Sequence, residues 1–288
     1  MTLFRDIKLS AESADAGMRL DNALARHLAL SKRRIRRAID EGGVYVNRRR
    51  CRKAGLSLKG SEALRLVMLE QEKLKPFEPE QLIWQQDHLY LIHKRSDQYA
   101  QEALHRSLGT LPAELADHLG LSGQQRKELR PVHRLDRGTS GLILFCDKPA
   151  MLQHLQKNWA DCVGKDYLAV VEPAPTWQSK RICLPISRGP DTRGRYCIND
   201  AGRPSDTEAE VIERRENRAL LRLIPHTGRT HQLRLHLAHL GCPILGDNRY
   251  GGASHPRLML HAQGLCVHPP ALPATCRWQA KTEGDWQW

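Results

Sequence analysis

Long hydrophobic runs are missing from this sequence. No apolar stretch approaches the roughly 20 residues that a membrane-spanning helix needs. The first residues, MTLFRDIKLSAESADAG, lack the basic-then-apolar pattern of an export signal. Internal repeats and low-complexity tracts are missing as well. We therefore expect a cytoplasmic protein that does not associate with a membrane.

Closely spaced cysteines are also missing. None of the eight cysteines lies two to four residues from another, which is the spacing that structural zinc sites use. A chain of 288 residues without an export signal does not need disulfides for its stability. We expect reduced thiols.

Several common catalytic signatures are absent. The sequence has no Gly-x-Ser-x-Gly elbow and no Gly-x-x-x-x-Gly-Lys-Ser/Thr loop. His236 and His239 are spaced to share a helix face, but no adjacent glutamate completes a zinc-protease motif. We expect both histidines to face solvent or RNA, and we predict no metal site.

Acidic residues are few relative to basic ones. The chain has 45 Lys and Arg against 32 Asp and Glu, a net charge of +13. Residues 18–60 carry thirteen basic side chains and three acidic ones, which is a net +10. The length predicts two domains. The basic excess indicates a polyanion such as nucleic acid, or an anionic membrane surface, as partner, and the charge asymmetry predicts that one domain is dedicated to binding a polyanion.

The basic segment also has the pattern of a folded module. Apolar residues recur at helical spacing over 20–28, and Ser31 is placed to cap a second helix, 32–41, that ends near Gly42. A short strand at 44–46 and a basic turn follow. The alternative is a solvated basic face. The predicted phosphate contacts, which become RNA contacts if the polyanion is RNA, are Arg33, Arg34, Arg36, Arg37, Arg48, Arg49 and Arg50.

The stretch RLDNALARHLALSKRRIRRAIDEGGVYVN resembles the alpha-L (S-four-type) RNA-binding domain over about residues 17–70. The charged, proline-containing stretch that follows is typical of a linker. We therefore predict an RNA-binding domain at 1–71, a linker at 72–82 and a second domain at 83–288.

The second part of the chain mixes strand and helix patterns. Strands are predicted at 89–92, 141–145, 167–171 and 219–224, and helices at 111–120, 149–161 and 230–240. Because strands and helices do not alternate regularly, we expect an α+β fold with a mixed or antiparallel sheet.

Asp136 lies between two arginines in the loop sequence PVHRLDRGTSG, residues 131–141. Neighbouring cations favour its ionised form. The carboxylate could be a nucleophile, a base or a metal ligand, or it could belong to an ordinary ion pair.

Arg229 lies in a second cluster, HTGRTHQLRLHLAHLG, residues 226–241. We expect Thr230 to cap a helix whose apolar line runs through Leu233 and Leu237 and which ends at Gly241. Arg229 beside a helix N-terminus would favour an anion, either a phosphate or the Asp136 carboxylate. The alternative is a surface cation in a turn.

Taken together, HRLDRGTSGLILF, KDYLAVV, HTGRTHQLRLHLAHLG and a late Leu-His-Ala resemble the RluA-type pseudouridine synthase family over about residues 83–270. The resemblance implies roles for particular residues. Asp136 matches the catalytic aspartate, Arg229 its basic partner, and Tyr167 the aromatic residue that packs on the target base. Arg134 matches the arginine that helps to displace the uridine, and Leu233 a pocket residue. It also implies a reaction without redox change, and therefore no cofactor.

One loop departs from the family pattern. Members usually carry Lys-Pro and a nearby Gly after the first strand of this domain, whereas this chain has His-Lys-Arg-Ser-Asp at 93–97. Lys94 matches the family, and the proline and glycine do not.

We expect a monomeric enzyme that isomerises uridines in RNA, with large-subunit ribosomal RNA as its substrate. The alternatives are the same reaction on transfer RNA and a non-catalytic RNA-binding factor of ribosome assembly. A metal-dependent nuclease is disfavoured because the sequence has no acidic cluster.

Overall fold

The structure is a computed structural model that describes residues 4–69, 75–189 and 195–288. Contacts divide the chain into two compact units. The first contains Met1–Phe77 and Gln101–Ser122, and the second contains Glu78–Ala100 and Gly123–Trp288. Part of the predicted linker, at 72–74, lies outside the described residues.

The first unit is a four-stranded antiparallel sheet with two helices before its second strand. A third helix comes from the later segment of this unit. The elements are β1 (Phe4–Ser10), α1 (Leu20–Leu28), α2 (Lys32–Glu41), β2 (Val44–Val46), β3 (Arg49–Arg50), β4 (Ala63–Leu69) and α3 (Leu111–His118). The order of the strands in the sheet is β1-β4-β2-β3.

The two basic-segment helices begin and end where the sequence predicts. The Ser31 hydroxyl accepts a hydrogen bond from the Arg34 N–H at 3.4 Å, which caps α2. Gly42 ends α2 at φ 89°, and a Cβ there would collide with the Ser107 side chain, so only glycine fits. Leu24, Ile35 and other buried side chains of both helices form one core with the sheet.

Residues 101–122 pack with the first unit, although the predicted boundaries assign them to the second domain. The Arg50 guanidinium donates hydrogen bonds to the Gly42 carbonyl and, at 2.8 Å, to the Ala103 carbonyl. Arg106, only 3% exposed, pairs with Glu41 at 3.1 Å. Apolar periodicity does not reveal such contacts, because they are made by polar groups far apart in the chain.

The second unit is built around a mixed sheet that contains ten strands among the described residues. A separate two-stranded hairpin lies beside it. The elements are β5 (Leu82–Gln86), β6 (Leu89–Lys94), α4 (Gly123–Glu128), β7 (Arg130–Pro131), β8 (Ser140–Cys146), α5 (Pro149–Cys162), β9 (Val163–Val171), β10 (Ser179–Ile182), β11 (Ile186–Arg188), β12 (Tyr196–Ile198), β13 (Thr207–Arg215), β14 (Arg218–Pro225), α6 (Gln232–His239), β15 (Leu260–Val267) and β16 (Cys276–Gln279).

The order of the main sheet is β10-β13-β14-β9-β15-β8-β6-β5, with β16 beside β15 and β7 beside β8. β15 and β8 are parallel and the other pairs are antiparallel, which confirms the predicted α+β fold. β8 is buried along its whole length. At Gly141 (φ 111°) a Cβ would collide with the Ala262 backbone, so glycine permits the close approach of β8 and β15.

This topology brings three distant segments of the chain together. The loop before β8 carries Asp136, β9 carries Tyr167, and the turn after β14 leads into α6. All three segments line one cavity. Among the described residues, no helix is both long enough and apolar enough to span a bilayer.

Candidate active site

A cavity of about 320 Å³ opens in the second unit. The sequence-predicted site residues of this domain all line it: Arg134, Asp136, Tyr167, Arg229 and Leu233. Because these residues come from segments almost 100 positions apart, the fold assembles a site that is not continuous in the sequence.

The Asp136 carboxylate is held in place by an arginine. Its Oδ2 accepts a hydrogen bond from Arg234 Nη1 at 2.9 Å and lies 3.7 Å from His231 Nε2. The Asp136 side chain is 26% exposed, so one face of the carboxylate remains open. A charge-assisted bond of this kind both orients a carboxylate and stabilises its charge.

Arg234 is held in place by the buried carboxylate of Asp247. Its Nε and Nη2 donate to the two oxygens of Asp247 at 2.7 and 2.8 Å, in a bidentate pair. Burial by itself lowers the pKa of Arg234, but the Asp247 hydrogen bonds and the charges of Asp136 and Asp247 outweigh burial and raise it. Arg234 is therefore a permanent cation between two carboxylates.

The predicted pairing of Arg229 with Asp136 is wrong. The Arg229 Nε donates instead to the Pro204 carbonyl at 3.0 Å. The residue at which α6 begins explains why Arg229 does not reach Asp136. The N-cap of α6 is His231, which adopts a left-handed conformation at φ 57°, and not Thr230. The helix therefore begins at Gln232, which places Arg234 in its first turn, and leaves Arg229 in the preceding turn.

A signal for Arg234 was present in the sequence. Arg234 directly follows Leu233 and lies at the edge of the apolar face that Leu233 and Leu237 form, where a side chain is expected to be largely buried. Its side chain is 11% exposed. A buried arginine needs a carboxylate partner. That reasoning identifies Arg234 as a functional candidate without reference to Arg229.

Tyr167 presents an aromatic side chain to the cavity from β9. It pairs with Leu223 on β14 and with Ala262 on β15, so strands on both sides fix its position. Burial raises the pKa of Tyr167 well above its ordinary value, and the Asp136 charge raises it further. The phenol therefore stays protonated, and its ring offers an apolar face to a base.

Arg134 and Thr230 join the two motif clusters at the edge of the cavity. The exposed Arg134 donates from Nη2 to the Thr230 hydroxyl at 2.9 Å. A single hydrogen bond to a neutral acceptor leaves the guanidinium able to exchange it for RNA groups.

Two histidines that line the cavity, His231 and His133, are neutral. Burial lowers the pKa of His231 to about 4 and that of His133 to about 3. His133 stacks on Trp159 with ring centroids 4.8 Å apart, and its Nε2 accepts the Leu144 N–H at 3.1 Å. Both imidazoles are therefore fixed uncharged groups at neutral pH.

The prediction that His236 faces solvent or RNA is wrong. His236 is fully buried and hydrogen bonds to the Ser205 and Thr207 hydroxyls at 2.9 and 3.0 Å. It lies in the middle of α6, whose inward face is covered by the turn that carries Ser205. His239 is exposed. Among the described residues, no group of three or more His, Cys, Asp or Glu side chains is arranged to hold a metal ion.

Lys94 supports the loop that carries Asp136. Its fully buried ammonium donates to the carbonyls of Arg95, Arg137 and Thr139 at 3.0, 2.7 and 2.6 Å. Burial lowers the pKa of Lys94 to about 7.

The departure from the family pattern at 93–97 leaves this support in place. The Asp97 N–H donates to the Arg137 carbonyl at 2.9 Å, and the Ser96 hydroxyl donates to the Gly138 carbonyl at 3.0 Å. Asp97 adopts φ 66°, a conformation that glycine takes most easily. The loop of this chain is therefore tied by hydrogen bonds to the segment after Asp136.

The predicted RNA contacts of the first unit divide into two groups. Arg50 donates hydrogen bonds to the Gly42 and Ala103 carbonyls within the first unit. Arg34 is half-buried and also has a partner. Arg36 pairs with the buried Asp21 at 2.8 Å, and Arg37 pairs with Glu41 at 2.9 Å. The exposed members are Arg33, Arg36, Arg37, Arg48 and Arg49.

Two family models match this chain. The model described as RNA pseudouridylate synthase matches residues 88–239, which is more than half of the chain. The S4 domain model matches residues 18–64. The S4 match lies within the first unit and includes the basic helix α2, and the longer match includes Asp136.

Curated relatives match over most of the chain. Ribosomal large subunit pseudouridine synthase C of Vibrio parahaemolyticus is 32% identical over 281 residues, which cover 89% of this chain and 86% of the relative. The protein of the same name from Escherichia coli K12 is 32% identical over 302 residues, which cover 95% and 92%.

Solved structures share the fold over almost three quarters of the chain. Human RNA pseudouridylate synthase domain containing 1 matches with a TM-score of 0.59 at 27% identity, covering 73% of this chain and 86% of that one. Human RNA pseudouridylate synthase domain containing 4 matches with a TM-score of 0.58 at 25% identity, covering 72% and 90%. With an S4 domain at its N-terminus and these matches across its length, the chain belongs to the RNA pseudouridylate synthase family and is an isomerase.

Proposed function

We propose that this chain isomerises specific uridines of large-subunit ribosomal RNA to pseudouridine, with Asp136 as the nucleophile. The observation that carries this proposal is the partly open Asp136 carboxylate, held by Arg234 in a cavity that Tyr167 also lines. The names of the curated relatives support the choice of ribosomal RNA.

The residues suit the chemistry of an isomerisation. The bond between ribose C1′ and uracil N1 breaks, a bond between C1′ and C5 forms, a proton leaves C5, and N1 ends with a proton. Substrate and product contain the same atoms and electrons, so the reaction needs no redox partner. The Asp136 carboxylate stabilises or traps the intermediate by covalent attack, while Arg234 keeps it oriented.

The cavity is suited to a nucleotide that has left its stack. Removing a base from an RNA helix costs a few kcal/mol. The Tyr167 ring gives the uracil an apolar surface, and the exposed Arg134 guanidinium supplies a planar group for the vacated position. Leu233, buried at the cavity wall, contributes apolar surface.

Delivery to the RNA is assigned to the basic N-terminal domain, with boundaries of 1–71. Its exposed arginines attract phosphates without reading sequence. We also propose that the enzyme acts as a monomer in the cytoplasm, where its ribosomal RNA substrate is found.

The test is pseudouridine mapping of total RNA from cells with and without this gene product. We expect defined positions in large-subunit ribosomal RNA to lose pseudouridine when the protein is missing. Loss confined to transfer RNA would overturn the substrate assignment and leave the chemistry intact. An unchanged pseudouridine map would favour the non-catalytic assembly factor.

A further inference from the structure

Lys165 is a cavity-lining cation that has no part in the mechanism above. It lies on β9, two residues before Tyr167, and both side chains line the cavity. Two residues along a strand correspond to about 7 Å. That separation is comparable to the one between the base and the phosphate of a single nucleotide.

The Lys165 ammonium has no partner among the described residues. No hydrogen bond or ion pair satisfies it there, although its side chain is partly buried. Burial lowers the pKa of Lys165, and no acidic group offsets that effect. Its neighbour on β9, Asp166, pairs with Arg222 at 2.6 Å and is not available to it. A partly desolvated cation without an anion costs stability, so a contribution to folding does not account for Lys165.

The space beside the ammonium is open. A Cβ at Gly228 would lie 3.8 Å from Lys165 Nζ, and Gly228 itself is exposed. The Gly228 N–H donates to no described residue. The Lys165 ammonium and the exposed Gly228 backbone therefore lie beside the same part of the cavity. An ammonium together with a backbone N–H is a donor set that a phosphate oxygen prefers.

The charges of the cavity favour an anion at this end. The Asp136 carboxylate is neutralised by Arg234, while Lys165 and the nearby Arg229 pair with no carboxylate of the described part of the chain. Uracil is neutral, so the phosphate is the anionic part of the substrate that can offset the Lys165 charge.

We propose that Lys165, with the Gly228 N–H, binds a backbone phosphate of the target nucleotide when its base packs on Tyr167. The proposal rests on the proposed function, because it requires a uridine of RNA to enter the cavity. It assigns Lys165 to holding the nucleotide in register with Asp136, and not to making or breaking bonds.

The experiment pairs a protein variant with a modified substrate. Synthetic RNAs are made around a uridine that the wild-type chain modifies, each with one uncharged methylphosphonate, either 5′ or 3′ to that uridine. In the wild type, we expect one of the two modifications to lower kcat/KM by about ten- to hundredfold, and K165M to cause a similar loss. Combining them should cost little more, because both remove the same interaction.

A control variant separates this contact from general charge effects. Lys157 is exposed on α5 and does not line the cavity. K157M should keep the full sensitivity to the methylphosphonate. The melting temperature of K165M should be unchanged or raised, because the substitution removes a partly buried charge that lacks a partner; a lysine that served the fold would lower it when removed.

Three outcomes decide the matter. Non-additive losses for K165M and one methylphosphonate support the contact. Fully additive losses with both RNAs, or a K165M enzyme as active as the wild type, overturn it while leaving the proposed function standing. A wild-type chain that modifies no RNA refutes the proposed function, and the phosphate contact with it.

Discussion

Replacing Arg234 separates its two roles, orienting Asp136 and neutralising Asp247. R234M removes one charge-assisted hydrogen bond from Asp136 and two from Asp247. A bond to a charged group contributes about 1.5–3 kcal/mol, so the loss at Asp136 should lower kcat by about 10- to 150-fold. R229M, which gives up a bond to the Pro204 carbonyl, should change kcat by no more than a few-fold.

The same variant should also destabilise the protein. The Asp247 side chain is fully buried, and among the described residues its remaining donors would be the N–H groups of Arg249 and Tyr250, at 3.1 and 3.3 Å. An unpaired buried charge costs about 3–5 kcal/mol, and the two N–H groups place the expected loss near the lower end. The double variant R234M/D247N should regain most of that stability without regaining kcat.

The assays are single-turnover pseudouridine formation and urea unfolding, each on wild type, R234M, R229M and R234M/D247N. The reasoning predicts that kcat and unfolding free energy separate in the double variant. An R229M enzyme as impaired as R234M would refute the assignment of Arg234 as the partner of Asp136. So would recovery of kcat in the double variant.

Four further expectations concern the basic domain and the catalytic loop. R33Q/R37Q should weaken RNA binding. The slope of log K against log salt concentration should become shallower by roughly 0.7–0.9 for each phosphate that the domain no longer neutralises. An unchanged slope would show that α2 does not contact phosphate. R50M should instead lower the melting temperature and leave the salt slope nearly unchanged, because Arg50 is bonded within its unit. Hydrogen bonds from arginine outweigh the effect of burial and lower the pKa of Asp21 to about 2. The ionised Asp21 therefore stabilises the fold fully above its unfolded-state pKa of about 4, and this contribution is lost as the pH falls towards 2. D21N should flatten an acid-unfolding curve over that pH range. K94M should lower kcat by about 10- to 100-fold at unchanged RNA affinity, because the carbonyls that fix the Asp136 loop lose their donor; equal losses in RNA affinity would contradict this.

Much of the fold was predictable because its signals are local. The Ser31 cap, the helix end at Gly42 and the buried strand after Asp136 each follow from neighbouring residues. The family resemblance supplied what local patterns do not, namely that Asp136 and Tyr167 line one cavity.

The two wrong predictions, for His236 and Arg229, come from tertiary contacts. His236 is buried because two residues far from it in the chain, Ser205 and, at the start of β13, Thr207, supply hydroxyl partners for its ring. Arg229 and Arg234 lie five residues apart near one helix start, and a shift of that start from Thr230 to His231 changes which of them reaches Asp136. A left-handed N-cap at a histidine is uncommon, and sequence patterns give no warning of it.

Tertiary contacts also place the segment 101–122 with the first unit. Its anchors are carbonyls and buried ion pairs, such as Arg106 with Glu41, between segments more than 60 residues apart. Hydrophobic periodicity reports burial of one element at a time, so it assigns such a segment to its neighbours in sequence.

The central claim is that Asp136 performs the isomerisation, and D136N tests it most directly. Asparagine keeps the size of the side chain and removes the nucleophilic charge. With purified protein and ribosomal RNA under single-turnover conditions, D136N should form no pseudouridine while its RNA affinity stays within a few-fold of the wild type. Pseudouridine formed by D136N would contradict the account.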